Sequence, residues 1–262
     1  MNDFLLSFIL GLVQGLTEFL PISSSAHLLL PTLLFGSNDL GLYFDISVHA
    51  GTLAAVIYYF RSEISLMIKS LVPNNNELKI YRSLSLQLLV ATLPIVVIGF
   101  IFKDLIEERI FSINSIAISN LFFAGLLLFA FLRNKSEKGI YSITLFTAVF
   151  IGVVQCFALV PGASRSGTAI TAALLIGLNL KDASKFAFLL GIPTIFGALI
   201  LLIIDIQSKA VPLDLIVLIT GFLTSMICAF FTIKLFLSFV EKIGMIPFVI
   251  YRVLLGVILL LI

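Results

Sequence analysis

Charged residues are scarce in this chain, and their scarcity excludes an ordinary soluble domain. Only 11% of the 262 residues are Asp, Glu, Lys or Arg, whereas soluble domains contain about 25%. The hydrophobic share is 60%, and the mean hydropathy is +1.20. The net charge of +2 comes from no compact basic patch, so nothing indicates binding to nucleic acid. The composition is that of an integral membrane protein.

Cysteine is also rare, which excludes two further classes of protein. Cys156 and Cys228 both lie inside apolar segments, with no recurrent spacing and no histidine nearby. They therefore form neither a zinc site nor a disulfide framework, and we interpret them as packed core thiols. A basic N-terminal segment is absent as well, and the first apolar run leads into Pro21 and serines. We therefore expect no removable signal peptide.

Long apolar runs are abundant, and six of them are long enough for membrane-crossing helices, which need about 17–25 residues. They cover 44–60, 84–102, 114–132, 186–204, 213–237 and 246–262. The runs 26–35 and 168–178 are too short, and each directly follows a polar cluster. With the preceding runs 4–20 and 144–159, they predict two re-entrant helix–loop–helix hairpins that line a cavity. The predicted fold is all-α and polytopic, with six full transmembrane helices plus these hairpins.

The two halves of the chain share a pattern of polar residues, which predicts an inverted-topology repeat. The matched positions are Gln14 with Gln155, Pro21 with Pro161, Ser24 with Ser164, and Gly51 with Gly191. We predict a single membrane domain, 1–262, made of a first repeat over 1–140 and a second over 141–262. Three crossings in the first repeat would turn the second one upside down. Such folds place the binding site near mid-membrane, where the repeats meet.

Charges in the loops predict the orientation of this arrangement. One face would receive Arg61, Lys69, Lys79, Arg82, Arg133, Lys135, Lys138, Lys181, Lys185, Lys234 and Lys242. The other would receive only Lys103, Arg109 and Lys209. The positive-inside rule makes the crowded face cytoplasmic, so the first hairpin would open outward and the second would enter from the cytoplasm. Counting 4–20 or 144–159 as full spans would spread these charges over both faces.

The first polar cluster contains two ionisable residues, Glu18 and His27, and several hydroxyl groups. Its members are Gln14, Thr17, Glu18, Pro21, Ser23, Ser24, Ser25 and His27. An ionisable group at membrane depth costs about 2.5–3.5 kcal/mol on insertion scales, so it needs a partner or a polar ligand. Gln14 and Glu18 share one helical face, and Glu18 could bind a hard cation, accept a proton, or be neutral in a packing stripe.

The two histidines are interpreted differently. We interpret His27 as an acid, base or nucleophile because it lies close to Glu18 and three serines, although histidines in membrane helices also serve in packing. His49 lies in a longer apolar run beside Gly51, which favours a packing or supporting role.

The second polar cluster is suited to binding an anion. It comprises Gln155, Pro161, Gly162, Ser164, Arg165, Ser166, Gly167 and Thr168. A helix that begins near Gly167 would present free N–H groups and a positive dipole end, and Arg165 supplies a planar fork for phosphate. The alternative is a glycine–proline kink with Arg165 snorkelling to the surface. Together the clusters predict phosphoryl transfer on a lipid phosphate or diphosphate, with a transporter or lipid flippase as the alternative.

These motifs resemble those of the bacterial undecaprenyl pyrophosphate phosphatases of the bacitracin-resistance type. The family's Glu/Gln-x-x-x-Glu motif appears as Gln14-Gly-Leu-Thr-Glu18, and its Pro-Gly-x-Ser-Arg-Ser motif runs from Pro161 to Ser166. The resemblance covers essentially the whole chain. It implies hydrolysis of the C55 isoprenoid diphosphate to its monophosphate and inorganic phosphate, with a divalent cation (Mg²⁺ or Ca²⁺). It also implies a homodimer in the bacterial inner membrane, an outward-facing site, and recycling of the lipid carrier for peptidoglycan synthesis.

The same resemblance assigns roles to individual residues. The implied catalytic groups are Glu18, Ser24 as nucleophile, His27 and Arg165. The implied substrate-binding groups are Gln14, Ser23, Ser25, Ser164, Ser166, Gly167, Thr168 and Arg252. The implied cation ligands are Glu18 and Gln14. From the sequence alone, Arg252 could equally be a snorkelling anchor near a helix start.

Two positions depart from the family pattern. Ala26 stands where many members have glycine, which stiffens the turn before His27. Ala169 stands where the second motif usually ends in threonine, with Thr168 one residue earlier. The second departure puts in doubt any role for that terminal threonine, but it leaves Arg165 and its flanking serines intact.

Overall fold

The computed structural model describes residues 2–72, 76–102, 112–206 and 214–261, and these ranges are helical without a β-strand. The α-helices are α1 Asp3–Thr17, α2 Ser24–Phe35, α3 Gly41–Tyr59, α4 Arg61–Ser70, α5 Lys79–Ile101, α6 Ile113–Arg133, α7 Leu145–Gln155, α8 Arg165–Leu175, α9 Leu180–Ile206, α10 Leu215–Ile243 and α11 Ile246–Leu261. Short 3-10 helices cover Asn76–Leu78, Ile140–Ser142 and Cys156–Leu159. The prediction of an all-α polytopic membrane protein is confirmed.

Five of the described helices are long and apolar enough to cross a membrane, namely α3, α5, α6, α9 and α10. They coincide with five of the six predicted runs. The sixth run, 246–262, forms α11, which has 16 described residues and is shorter than the other five. Its crossing of the bilayer stays a prediction. Large apolar side chains such as Phe122 and Ile216 are exposed on the outer faces of these helices, as contact with lipid tails requires.

Both short runs form the second helix of a broken pair, as the sequence predicts. α1 and α2 are separated by a turn that contains Pro21, and α7 and α8 by the 3-10 helix Cys156–Leu159 and the loop that contains Pro161. The second helix of each pair follows a serine with positive φ: Ser23 before α2 and Ser164 before α8, both at 73°. Non-glycine residues rarely adopt such angles, and those that do cluster at functional sites.

Helix α8 begins at Arg165, two residues earlier than predicted. The reason is a side-chain cap, because the Ser164 hydroxyl accepts a hydrogen bond from the Gly167 N–H at 3.1 Å. This cap satisfies one of the free donors of the first turn. Helix α4 was not predicted at all. Its ten residues mix charged and apolar side chains, so the sequence suggested a loop there.

The first helix of each pair packs on a long helix from the other half of the chain. A Cβ atom on Gly15 of α1 would lie 2.7 Å from the Ser225 carbonyl oxygen and 2.9 Å from the Ala229 nitrogen, both on α10. A Cβ atom on Gly152 of α7 would collide with the Ala91 carbonyl of α5. The two halves of the chain therefore exchange these packing partners in the same way. The repeat boundaries and the re-entry of the hairpins from opposite faces stay predictions.

Charged residues from several helices come together at one end of the bundle. Lys185 of α9 pairs with Glu63 of α4 at 2.9 Å, and Lys181 of α9 pairs with Glu241 of α10 at 3.4 Å. These ion pairs join chain segments that the charge pattern assigned to a single face. The residues predicted for the opposite face, Lys103, Arg109 and Lys209, lie outside the described residues.

We expect Gly15→Ala to destabilise the protein, because the added methyl group would press on the α10 backbone. Overpacking of this kind typically costs about 1–3 kcal/mol. The matched control is Gly125→Ala on α6, where a Cβ atom would meet nothing within 4 Å. Thermal unfolding in detergent should show a lower Tm for the first variant only. Equal Tm values for the two variants would contradict the close contact of α1 and α10.

Candidate active site

The two broken helix pairs meet at an ion pair. Glu18 follows the last residue of α1, and its Oε1 atom lies 2.7 Å from the Nη2 atom of Arg165, the first residue of α8. The side chains are only 5% and 12% exposed. Gly191 of α9 leaves the space for this guanidinium, because a Cβ atom there would collide with it, and the Phe19 ring lies 5.7 Å away. Arg165 therefore binds the carboxylate and does not snorkel to the surface.

The other carboxylate oxygen of Glu18 is surrounded by further polar side chains. Its Oε2 atom accepts hydrogen bonds from Gln14 Nε2 at 2.9 Å and from Ser24 Oγ at 2.6 Å. His49 Nε2 lies 3.9 Å from the same atom. Several donors around one carboxyl group favour its charged form, so this geometry does not fit a neutral Glu18 in a packing stripe. His49 faces the site, which agrees with the expected supporting role.

We call residues 18–23, between α1 and α2, the first loop, and residues 156–164, between α7 and α8, the second loop. The three serines at the end of the first loop and the start of α2 differ in how far they are buried. Ser23 is buried, and its Oγ accepts a hydrogen bond from the Gly162 N–H of the second loop at 3.2 Å. Ser25 is exposed and lies 3.3 Å from Ser23 Oγ. Ser24 is half-buried, and its hydroxyl points at Glu18. This hydrogen bond of 2.6 Å places a possible proton acceptor beside the Ser24 hydroxyl, and the role of Ser24 as nucleophile stays a prediction.

The hydroxyls of the second loop and of the start of α8 are buried and form hydrogen bonds within the protein. Ser166 Oγ donates to the Leu20 carbonyl at 2.9 Å, which is another contact between the two loops. Ser164 Oγ lies 3.2 Å from Ser166 Oγ, and Thr168 Oγ1 donates to the Arg165 carbonyl at 3.0 Å. These hydroxyls hold the loop in shape. Their predicted role in binding substrate, like that of Gly167, stays a prediction.

Arg252 of α11 forms hydrogen bonds with the backbone of both loops. It is fully buried, and its guanidinium donates to the carbonyls of Pro21 at 3.2 Å, Gly162 at 2.6 Å and Ala163 at 3.2 Å. Its Nε atom donates to Asn120 Oδ1 at 2.8 Å, and Asn120 Nδ2 donates back to the Arg252 carbonyl at 2.6 Å. A snorkelling anchor would be exposed, so that interpretation is wrong. Direct binding of substrate by Arg252 stays a prediction.

Two residues beside the site were missed by the sequence reasoning. One is Asn120, a buried amide within the apolar run 114–132. The other is Tyr251, whose hydroxyl lies 2.5 Å from His27 Nε2. The only sequence signal for Asn120 was that it is a polar residue in an apolar run. The only sequence signal for Tyr251 was its position next to Arg252.

One buried oxygen beside the carboxylate has no hydrogen-bond partner. It is Gln14 Oε1, whose amide nitrogen is bonded to Glu18. Amide and carboxylate oxygens suit a hard cation, and Mg²⁺ commonly takes one or two protein ligands plus substrate phosphates. Within the described ranges no group of three or more His, Cys, Asp or Glu forms an all-protein metal cage. The donor set therefore fits a cation that is bound together with a phosphate ligand.

The chain is similar to known proteins over nearly its whole length. A family model described as bacitracin resistance protein BacA matches residues 7–258. The undecaprenyl-diphosphatase of Alcanivorax borkumensis is 44% identical over 260 residues, which cover 98% of each chain. That of Saccharophagus degradans is 46% identical over 260 residues, covering 97% of this chain and 96% of the relative. That of Alteromonas mediterranea is 44% identical over 254 residues, covering 96% of each.

We expect Arg252→Lys to lower stability although the charge is kept. A lysine ammonium cannot reach the carbonyls of both loops and Asn120 at once, and each buried group left without a partner costs about 1–3 kcal/mol. The control is Lys242→Arg at the exposed end of α10. Thermal unfolding should show a large decrease in Tm for the first variant only. An unchanged Tm would show that Arg252 does not hold the loops.

Proposed function

Because the chain belongs to the bacitracin resistance protein BacA family, we propose that it is an undecaprenyl-diphosphatase. It hydrolyses the C55 isoprenoid diphosphate to the monophosphate and inorganic phosphate. The main support is the cluster of Ser24, Glu18 and Arg165 in one place, built from two loops far apart in sequence. A hydroxyl, a carboxylate that can take its proton and a guanidinium for the phosphate are the groups that phosphoryl transfer needs.

The reaction starts with Ser24 as the nucleophile. Its Oγ atom attacks the terminal phosphorus while its proton passes to Glu18 Oε2, which lies 2.6 Å away. The Oγ–P bond forms, and the bond to the bridging oxygen breaks, so the lipid monophosphate leaves with that electron pair. Arg165 binds the transferred phosphoryl oxygens and balances their charge. The oxygen of a water molecule then attacks the phosphorus, the P–Oγ bond breaks, Ser24 Oγ regains its proton from Glu18, and the inorganic phosphate that leaves keeps both hydrogens of the water.

The predicted cation has a place in this site. Glu18 and Gln14 would hold it, and Gln14 Oε1 is the buried oxygen that lacks a partner. A bound Mg²⁺ or Ca²⁺ would neutralise negative charge on the diphosphate oxygens. His27 is available to move a proton at the edge of the site, where its ring is half-buried.

The proposed location is the bacterial inner membrane, with the active site open to the outer side. The positive-inside rule supports it, because the lysines and arginines of the loops are concentrated on one predicted face. Such a site would return the lipid carrier to peptidoglycan synthesis and would confer bacitracin resistance. The predicted homodimer stays part of this proposal.

A transporter or lipid flippase is the second candidate. Two broken helix pairs that meet, with ion-paired residues at their tips, are also features of transporters. Phosphate release by purified protein in detergent separates the two functions, because a carrier without hydrolase activity releases none.

Arg165→Ala should abolish phosphate release from the lipid diphosphate in detergent, because the variant lacks the guanidinium that balances the negative charge of the phosphoryl group. The control is Arg61→Ala, which removes an exposed arginine that donates to the Tyr58 carbonyl. Both proteins are first compared by gel filtration. A folded Arg165→Ala protein with wild-type turnover would remove this residue from the mechanism.

Gln14→Ala should raise the Mg²⁺ concentration needed for half-maximal turnover, because it removes an oxygen ligand. Gln155→Ala is the matched control, because Gln155 is also a buried glutamine whose Oε1 lacks a partner. Its amide nitrogen bonds to Thr194 Oγ1 at 3.3 Å and not to Glu18. The measurement is phosphate release during Mg²⁺ titration after chelation. An equal shift in both variants would contradict a cation site at Gln14.

A further inference from the structure

We propose that Tyr251 is a positioning residue for the reaction, because its hydroxyl forms a hydrogen bond with the Nε2 atom of His27 and holds that ring in place. The inference rests on the phosphatase activity proposed above. It adds to the site a residue that belongs to neither polar cluster and that lies 224 positions from His27.

The hydrogen bonds of His27 determine which nitrogen carries its proton. Nδ1 lies 2.7 Å from the Ser23 carbonyl oxygen, and a carbonyl can only accept, so Nδ1 carries the hydrogen. In the neutral ring Nε2 must then be the acceptor. The phenol of Tyr251, 2.5 Å from Nε2, is the group that donates to it.

The two rings also lie edge to edge in nearly parallel planes, which suits a hydrogen bond to the in-plane lone pair of Nε2. Their centroids are 5.6 Å apart, and their planes differ by 12°. The Tyr251 side chain is 41% exposed, so it is not simply part of the packed core. The contact lies at the accessible edge of the site, where His27 itself is only half-buried.

The position of Tyr251 is coupled to the loops of the active site. Its neighbour in sequence is Arg252, which binds the carbonyls of Pro21 and Gly162. A shift of α11 would therefore move the phenol and both loops together. This coupling keeps the backbone of Tyr251 in place relative to the loop that leads to His27.

The phenol can serve His27 in both of its protonation states. It donates to Nε2 of the neutral ring, and after Nε2 takes up a proton the phenol oxygen accepts that N–H instead. Only the hydroxyl hydrogen has to rotate. His27 can therefore gain and lose a proton without reorienting its ring, which keeps it aligned through the reaction.

Tyr251→Phe tests this role, because it removes the hydroxyl and keeps the aromatic ring. We expect kcat to fall about threefold to tenfold, the effect of one lost hydrogen bond, while KM changes less than twofold. The control is Tyr58→Phe, at an exposed tyrosine of α3, which should leave both constants unchanged. Wild-type kcat in Tyr251→Phe would overturn the proposal.

Nitrogen NMR of ¹⁵N-histidine-labelled protein tests the hydrogen bond itself, whereas the separate effects on kcat and KM test whether that bond matters for the reaction. The chain has only two histidines, so His49 is an internal reference. In ligand-free wild type His27 should show a protonated Nδ1 and a hydrogen-bonded Nε2. In Tyr251→Phe the Nε2 resonance of His27 should shift while the His49 resonances stay in place. Unchanged His27 resonances would also overturn the proposal.

The two readouts distinguish this inference from the proposed function. Wild-type protein without phosphate release would contradict the phosphatase activity itself, whatever the resonances show. Active wild-type protein whose Tyr251→Phe variant lacks either effect would contradict only the role of Tyr251.

Discussion

A carboxylate among apolar helices must have a partner, and the rest of this structure depends on how Glu18 meets that requirement. Its partner, Arg165, lies 147 positions away and belongs to a different helix pair. Neither charge is stable at that depth alone. The ion pair therefore forces the tips of both pairs to the same place, and this brings Ser24 and the second loop beside the same carboxyl group.

Further hydrogen bonds to the backbone join the same two loops and support the ion pair. Ser23 accepts from the Gly162 N–H, and Arg252 donates to carbonyls in both loops. Most hydroxyls of the second loop also serve this framework. Ser24, Ser25 and His27 are less buried than this framework. The framework is buried, and the proposed reactive groups Ser24 and His27 lie at its edge.

Much of this site could be predicted from the sequence, because charges in apolar runs are rare. Glu18 and Arg165 stood out for that reason, and five of the crossing helices followed from run length. The start of α8 could not be predicted to the residue, since it depends on the cap from Ser164. Asn120 and Tyr251 were missed because their roles arise from contacts 132 and 224 positions away, which no local pattern indicates.

The most direct test of the meeting of the two loops is a double-mutant cycle between Glu18→Gln and Arg165→Gln, measured by the free energy of unfolding in detergent. Removing one member of a buried pair leaves the other charge uncompensated, at a cost of about 3–5 kcal/mol. We predict that the double variant is far less destabilised than the sum of the single variants. Additive effects would show that the two residues do not interact and would contradict the account.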